Sequence, residues 1–309
     1  MAGIIQQLEA VGDHAELAGA HMAVFMASWM RSRATPAASA GRRAVEHARL
    51  AGDRNQLANA LVWLQAPLML GPGNIDAMQG WLAEAERLDR GPLVQIGIEQ
   101  AHGYMALMAG DFAESRRRLV TVDETYASLG MELLRSAIGQ WRTDVELCAG
   151  DATAAVRGAR EGYDLGTRLG DHSYHPTTGA WLARALAAAG DLAEAERVAL
   201  AAEEESAAVD VINFAMTREV LARVRLAADA QEEAERLARE SVDFSLQTDF
   251  PVFQGDSLLI LGEVLRARGD EHAAITCFDQ ALALYESKGD RPLVAHTRDL
   301  LANAQPAAG

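Results

Sequence analysis

Lysine is almost absent from this 309-residue chain: Lys288 stands alone among 28 basic residues, and the rest are arginine. The residue after it is Gly289, so no Gly-Lys-Ser/Thr loop for nucleotide phosphates exists. Cysteine is equally scarce. Cys148 and Cys277 sit far apart in ordinary helical surroundings, which argues against a disulfide framework and fits a reducing cytoplasm. Long apolar runs are missing too. The longest, Ala60 to Leu70, is interrupted by Gln65, ends at Gly71-Pro72-Gly73 and is too short to span a bilayer. Met1 to Val11 has no basic start and no unbroken apolar stretch, so a secretory signal is not expected. Taken together these shortages predict a soluble, cytoplasmic protein with no membrane contact. Neither a Gly-x-Ser-x-Gly elbow nor a His-Glu-x-x-His zinc motif occurs, and no catalytic residue is assigned.

Positive charge is in deficit, with a formal net charge of −16 that would repel phosphate, so this chain alone is not expected to bind nucleic acid. The run Arg116-Arg117-Arg118 and the run Glu203-Glu204-Glu205 are read as solvated helix faces. Aromatic residues make up only 6% of a chain that is half apolar. Alanine-rich helices with few large rings imply closely approaching backbones rather than one thick core.

What is abundant is a hinge. From Leu258 to Gly289 two helix-period segments meet at Gly269-Asp270, and the second closes at Gly289-Asp290. Asp151, Asp171, Asp191, Asp210, Asp229, Asp249, Asp270 and Asp290 fall 19 to 21 residues apart, most of them after Gly or Ala. Glycine ends a helix in the left-handed conformation without a Cβ penalty. The following aspartate accepts hydrogen bonds from the free amides of the next helix. Five hinges add an acid or amide three residues on: Asp13/Glu16, Asp53/Gln56, Asp111/Glu114, Asp191/Glu194 and Asp229/Glu232. A half-period near 20 inside a full period near 40 marks stacked helix pairs.

Around Gly269, the residues Leu261, Gly262, Leu265, Ala274, Phe278 and Ala281 carry a small-and-large pattern, repeated as Leu182, Ala183, Leu186 and Ala195 and as Leu221, Ala222 and Ala234. This pattern resembles tetratricopeptide repeats, in a long form whose helices run to about 16 residues, or roughly 25 Å. It resembles in particular the C-terminal sensor regions of bacterial LuxR-type regulators, similar to the maltose-regulon activator, and the arrays that follow the ATPase module in some adenylate cyclases. The resemblance covers residues 90 to 290 well and the first 90 loosely. It implies an all-α, right-handed superhelical solenoid of about seven antiparallel helix pairs, with a concave face that binds a peptide or protein segment. The alternative it allows is a small-molecule effector sensor. It implies no enzyme and no cofactor.

The boundaries follow from the hinges, and residues 1–309 read as one domain. An orphan helix over 2–11 comes first, then seven pairs over 14–290, then a capping helix over 291–304. Thr35-Pro36 supplies an N-cap and a first-turn proline for the second helix of the first pair. The opening helix bears Ile4, Ile5, Leu8 and Val11 with Glu9 as its only charge, so its outer side is expected to self-associate or to meet an upstream domain. The tail from Gln305 is expected to fray.

In this kind of repeat the first helix of each pair lines the concave face. Registering the hinges puts Gln65, Tyr104, Asp144, Arg184, Arg223 and Glu263 in one row, spaced 39 to 40 apart. One turn earlier stand Gln100, Gln140 and Glu219, and one turn later Met69, Met108 and Cys148. All of these except Cys148 are the candidate ligand-binding residues, with Arg184 and Arg223 as exposed anchors for a carboxylate and Tyr104, Met108 and Met69 as apolar contacts. Trp63, Trp141 and Trp181 hold nearly equivalent positions and are read as inter-repeat packing. Met22, Met26 and Met30, interleaved with Phe25 and Trp29, are read as core. His172 and His175 flank a hinge beside Asp171 without a third ligand, so no metal site is assigned.

Overall fold

A computed structural model describes residues 2–73, 75–87 and 91–304. Among these residues there are sixteen helices and no strand. They are α1 (Ala2–Val11), α2 (His14–Trp29), α3 (Ala34–Ala51), α4 (Arg54–Leu70), α5 (Asp76–Ala85), α6 (Pro92–Ala109), α7 (Phe112–Ser128) and α8 (Glu132–Cys148). They continue as α9 (Ala152–Leu169), α10 (His175–Ala188), α11 (Leu192–Glu205), α12 (Val211–Ala227), α13 (Gln231–Ser245), α14 (Pro251–Ala267), α15 (Glu271–Lys288) and α16 (Arg291–Ala304). In sequence order this is an orphan helix, seven pairs and a closing helix, the architecture of a tetratricopeptide-type helical solenoid. The turn at Gly71-Pro72-Gly73 places the second helix of the second pair from Asn74 to Leu88; it is described as α5, and both of those ends, like the tail from Gln305, lie outside the described residues.

The chain divides into two compact units. The first runs to Ala101 and includes Thr248–Phe250; the second holds the rest, with the division inside α6. In the first unit α2 packs on α3, α3 on α4 and α4 on α5, while α1 meets α2. Ile5 and Leu8 are half-buried, but Ile4 and Val11 are exposed. Phe25 is fully buried against Ala37 and Ala40, with Met22, Met26, Trp29 and Trp63 around it. In the second unit each helix from α7 to α15 packs on the next, and α8, α10, α12 and α14 also touch in series. That second set of contacts is what stacks one pair on another. It builds a continuous core that runs from Ala155 and Ala159 through Leu182, Leu221 and Ile260 to Phe278 and Tyr285.

The hinges are built as their chemistry dictates. Gly269 has φ of +84°, and Asp270 then accepts the Ala273 amide at 3.1 Å. Asp13, Asp53, Asp111, Asp151 and Asp191 accept third-position amides in the same way at the starts of α2, α4, α7, α9 and α11. Two sequence expectations fail. At Ala228-Asp229-Ala230 the glycine is missing, so Asp229 itself takes the left-handed position at φ +57°, and Ala230 stands at the helix start without a side-chain cap. Asp229 therefore is not the cap of a Glu232 box. Thr35 does not cap α3, which begins at Ala34. The amides of Ala34 and Thr35 instead donate to the carboxylate of Asp249, in the segment that counts with the first unit. An ionised carboxylate is a stronger acceptor for helix-start amides than a hydroxyl.

Close helix approach has the expected small residues. A Cβ placed on Gly262 would lie 2.5 Å from the Phe278 ring, and Gly262 stands where the two preceding repeats carry Ala183 and Ala222. Gly139 and Gly162 let α8 and α9 meet at similar range. The run at Arg116 is not merely solvated: Arg116 pairs with Glu146, and Arg117 and Arg118 with Glu114. Glu203 likewise leaves its solvated face to bind Arg218 and Thr217.

The same chemical change at two glycines should have opposite signs. Gly262→Ala drives a methyl into Phe278 and should destabilise by about 1–3 kcal/mol, although alanine is the better helix former by about 1 kcal/mol. Gly19→Ala, exposed in α2 with nothing within 4 Å, should stabilise slightly. Urea denaturation of both variants checks this, and equal shifts would contradict the packing described.

Candidate functional site

Helices α8, α10, α12 and α14 each present one stripe to the same side of the second unit, and α16 crosses into it. Together they line a half-open cavity of about 430 Å³. Its charged lining is Asp144, Arg184, Glu219, Arg223 and Asp256. Trp181, Leu147, Val252, Leu259, Pro292 and Leu293 supply apolar wall, and Cys148 and His296 complete its side-chain chemistry. The repeat period explains the convergence: residues one full period apart on successive first helices fall on one line of the stack.

Arg184 is the centre of the polar wall. Its guanidinium bonds Asp256 at 2.5 Å and lies 3.2 Å from Glu219, and all three side chains are close to nine-tenths buried. It also lies over the Trp181 ring at 4.8 Å, while Phe253 meets that ring edge-on at 6.1 Å. Asp256 takes a further hydrogen bond, 2.8 Å from the Tyr285 hydroxyl. Burial opposes the charge on Arg184, but Glu219 and Asp256 more than reverse this and hold its pKa above the ordinary range. Arg223, more open, pairs with Glu263 at 3.0 Å and reaches Glu219 at 3.8 Å.

Asp144 is treated differently. The contact to its carboxylate is the Cys148 thiol at 3.8 Å, a weak donor at long range. Burial pushes its pKa up to about 7; Arg184 pulls the other way, and Asp256 adds to the rise. Burial first, and then Asp144, also raise Cys148, so its sulfur stays a thiol and not a nucleophile. Behind this wall Asp290 accepts the Leu293 amide at 3.0 Å, and burial raises it to about 7 as well. The solitary Lys288 is 2% exposed, its ammonium 6.0 Å above the Tyr104 ring, and burial lowers it to about 8.

Three residues of the sequence-derived row therefore line the cavity, Asp144, Arg184 and Arg223, together with Glu219 from the turn before it. Glu263 stands just behind as the partner of Arg223. Gln140 reaches Thr178 at 3.3 Å instead. Tyr104 and Met108 are buried, with Tyr104 edge-on to Trp141 at 6.0 Å. Gln65, Met69 and Gln100 belong to the first unit; Met69 is buried, and Gln65 donates to Gln100 at 2.6 Å. The expectation of an exposed Arg184 anchor does not hold, because two carboxylates already clasp it. Sequence reasoning also missed Asp256, Tyr285 and the α16 contribution. Asp256 lies seven residues before Glu263, two helical turns along one face, so its position carried a detectable signal. Tyr285 and Pro292 through His296 carried none, since they come from a second helix and a closing helix.

The hinge histidine His175 is structural. Its ring stacks on Tyr163 at 4.3 Å, and its nitrogens lie 2.7 Å from Glu205 and 3.0 Å from Thr167. Among the described residues no group of three or more His, Cys, Asp or Glu side chains is arranged to hold a metal ion, and no helix is long and apolar enough to cross a membrane.

No protein-family model matches the chain, and no curated protein sequence matches it. Solved structures do match in fold. A Rap protein complexed with Competence and Sporulation Factor superposes with a TM-score of 0.64 at 13% identity, over 95% of this chain and 87% of that one. NprR in complex with its cognate peptide NprX gives 0.63 at 12% identity, over 82% and 74%. The Cut9-Hcn1 hetero-tetramer of the APC/C gives 0.62 at 14% identity, over 89% of this chain and 47% of that one. These identities are too low to carry more than the fold.

Two outcomes follow from the site. Arg184→Ala leaves Asp256 buried without a counter-ion and Glu219 with only the more distant Arg223, and should destabilise by about 3–5 kcal/mol, whereas Arg223→Ala, at a side chain 38% exposed, should cost about 1 kcal/mol or less. Denaturant titration of the two variants separates them. The second outcome concerns pH. A carboxyl whose folded pKa is raised binds its proton more tightly folded than unfolded, so its contribution is fully present below the unfolded pKa and is lost as pH rises towards the folded one. For Asp144 and Asp290 the window runs from about 4 to about 7. Stability should therefore fall from pH 5 to pH 7.5, and Asp144→Asn should flatten part of that fall in melting curves recorded across the range.

Proposed function

We propose that this chain is a non-enzymatic helical-repeat module that recognises a peptide or protein segment in the cavity of its second unit, and that it serves as the sensing part of a signalling or transcriptional regulator. The observation that carries the reading is the cavity itself. About 430 Å³ of space is bounded by apolar side chains and a row of charges; the charges come from the inward stripe of consecutive first helices, and the apolar wall from those helices and α16. Such a wall offers pockets for side chains and hydrogen-bonding groups for orientation. Two fold neighbours, Rap and NprR, were solved with Competence and Sporulation Factor and with the peptide NprX, respectively. That supports a peptide-sized ligand for this chain too.

The size of the cavity also supports a second reading, a small-molecule effector, because about 300–1,000 Å³ is the usual range for such ligands. In that case the chain would resemble the sensor regions of LuxR-type regulators or ATPase-linked cyclases in use as well as in repeat type.

Val252→Arg places a long side chain at the half-buried edge of the cavity. Peptides from a random pool retained on the immobilised protein should bind the wild type and lose at least tenfold in affinity with this variant, whose helicity should be unchanged by circular dichroism. Equal retention by both proteins would remove the cavity from the binding surface. A thermal upshift with metabolites but not with peptides would favour the second reading, since a bound ligand stabilises by mass action.

A further inference from the structure

The two arginines of the cavity are already spoken for. Arg184 is held by Asp256 and Glu219, and Arg223 by Glu263 and Glu219. Each guanidinium faces two carboxylates, so neither presents an unmatched positive charge to an incoming group. Asp144 lines the same cavity with a distant thiol as its contact and no guanidinium bonded to it. The imbalance is local to this wall: Asp144, Glu219 and Asp256 face inward against Arg184 and Arg223. Apolar surface from Leu147, Val252, Leu259 and Leu293 lies beside them.

Resting on the reading of this cavity as a peptide site, we propose that it selects a cationic group, the side chain of an arginine or lysine in the bound segment, with Asp144 as its counter-ion. The expectation from sequence was the reverse, a ligand with an acidic end held by the arginines. An entering carboxylate would have to displace Glu219 or Asp256 from a buried, short-range pair and leave that group unpaired. An entering guanidinium or ammonium displaces nothing but a proton. Its methylene stem lies along the apolar wall while its head reaches the carboxylate.

The proton gives the proposal a second signature. Asp144 is largely neutral at pH 6 and largely ionised at pH 8, so a cation should bind more tightly as pH rises. The groups that face it are Arg184 on α10, Asp256 on α14, Cys148 on its own helix, and Tyr104 and Asp290. Glu219, Arg223 and His296 share the cavity. The slope is assigned to Asp144 through its variant.

The test is calorimetric titration of the full chain with capped pentapeptide pools. Four positions are uncharged mixtures, and the fifth is fixed as Arg, Lys, Ala or Glu; agmatine alone serves as a small cation. The Arg or Lys pool should bind at least tenfold more tightly than the Ala pool, with the Glu pool no better than Ala, and its affinity should rise several-fold from pH 6 to pH 8. Asp144→Asn should lose the preference and most of the pH slope, while Asp144→Glu keeps the preference. A Glu pool that binds as well as the Arg pool, or an Asp144→Asn protein that keeps both preference and slope, overturns the proposal and leaves the peptide reading standing. Agmatine binding that depends on Asp144, with no binding of any pool, upholds the cation site and removes the peptide reading. No binding by pools or agmatine removes both. If Asp144→Asn does not fold, the pool preference and pH slope of the wild type decide the matter: their absence overturns the proposal.

Discussion

A pair of helices about sixteen residues long cannot bury both of its apolar faces by itself, and everything in the second unit follows from that shortage. Each pair needs a neighbour, and the neighbour must come close enough for alanine-sized residues to touch. The close approach is local and strict: Gly262 under Phe278 and Gly139 against Gly162 leave no room for a side chain. The hinges set the helix lengths so that these small residues recur at the right height. Where the hinge lacks glycine, at Asp229, the chain still makes the turn by forcing an aspartate into the left-handed region, which an L residue adopts at some cost. The stack tolerates the substitution because the neighbouring helices α12 and α13 are held by their packing and not by that cap.

Stacking has an electrical consequence. Successive first helices bring residues forty apart in sequence into one wall, and in this chain those residues are charged. Once Asp256, Glu219 and Arg184 are side by side and desolvated, each depends on the others, because a lone buried charge costs several kcal/mol. The wall is thus held by ion pairs at Arg184, which two carboxylates clasp, and open to titration at Asp144, which has no guanidinium bonded to it. A structural core and a responsive edge come from one row of side chains. The distinction between them is the number of opposite charges within hydrogen-bonding distance.

The same logic separates this cavity from the other charged surface of the second unit. The cleft lined by Asp123, Arg135, Arg142 and Glu161 is polar and laced with half-exposed ion pairs between neighbouring helices. Water competes with any ligand there, and exposed pairs add little. The cavity beside Trp181 differs in having apolar wall next to its charges, so burial of a ligand and recognition of its charge occur in one place.

The sequence by itself determined the helices, their hinges and the pairing, because those depend on interactions within about twenty residues: a glycine that ends one helix, an aspartate that starts the next, and small residues at a fixed height. It placed Asp144, Arg184 and Arg223 on one line, with Glu219 one turn before it, for the same reason, since the repeat period is itself local information. It misread Thr35, whose role at the start of α3 is taken by Asp249 from more than two hundred residues away. It read Arg184 as an exposed anchor because the two carboxylates that clasp it, one on α12 and one on α14, are not visible from its own helix. Only the tertiary structure decided which charges are spent and which remain, and that α16 closes one side of the cavity. Charge matching depends on distances of a few ångströms between side chains on different helices, and a one-dimensional period fixes the row but not those distances.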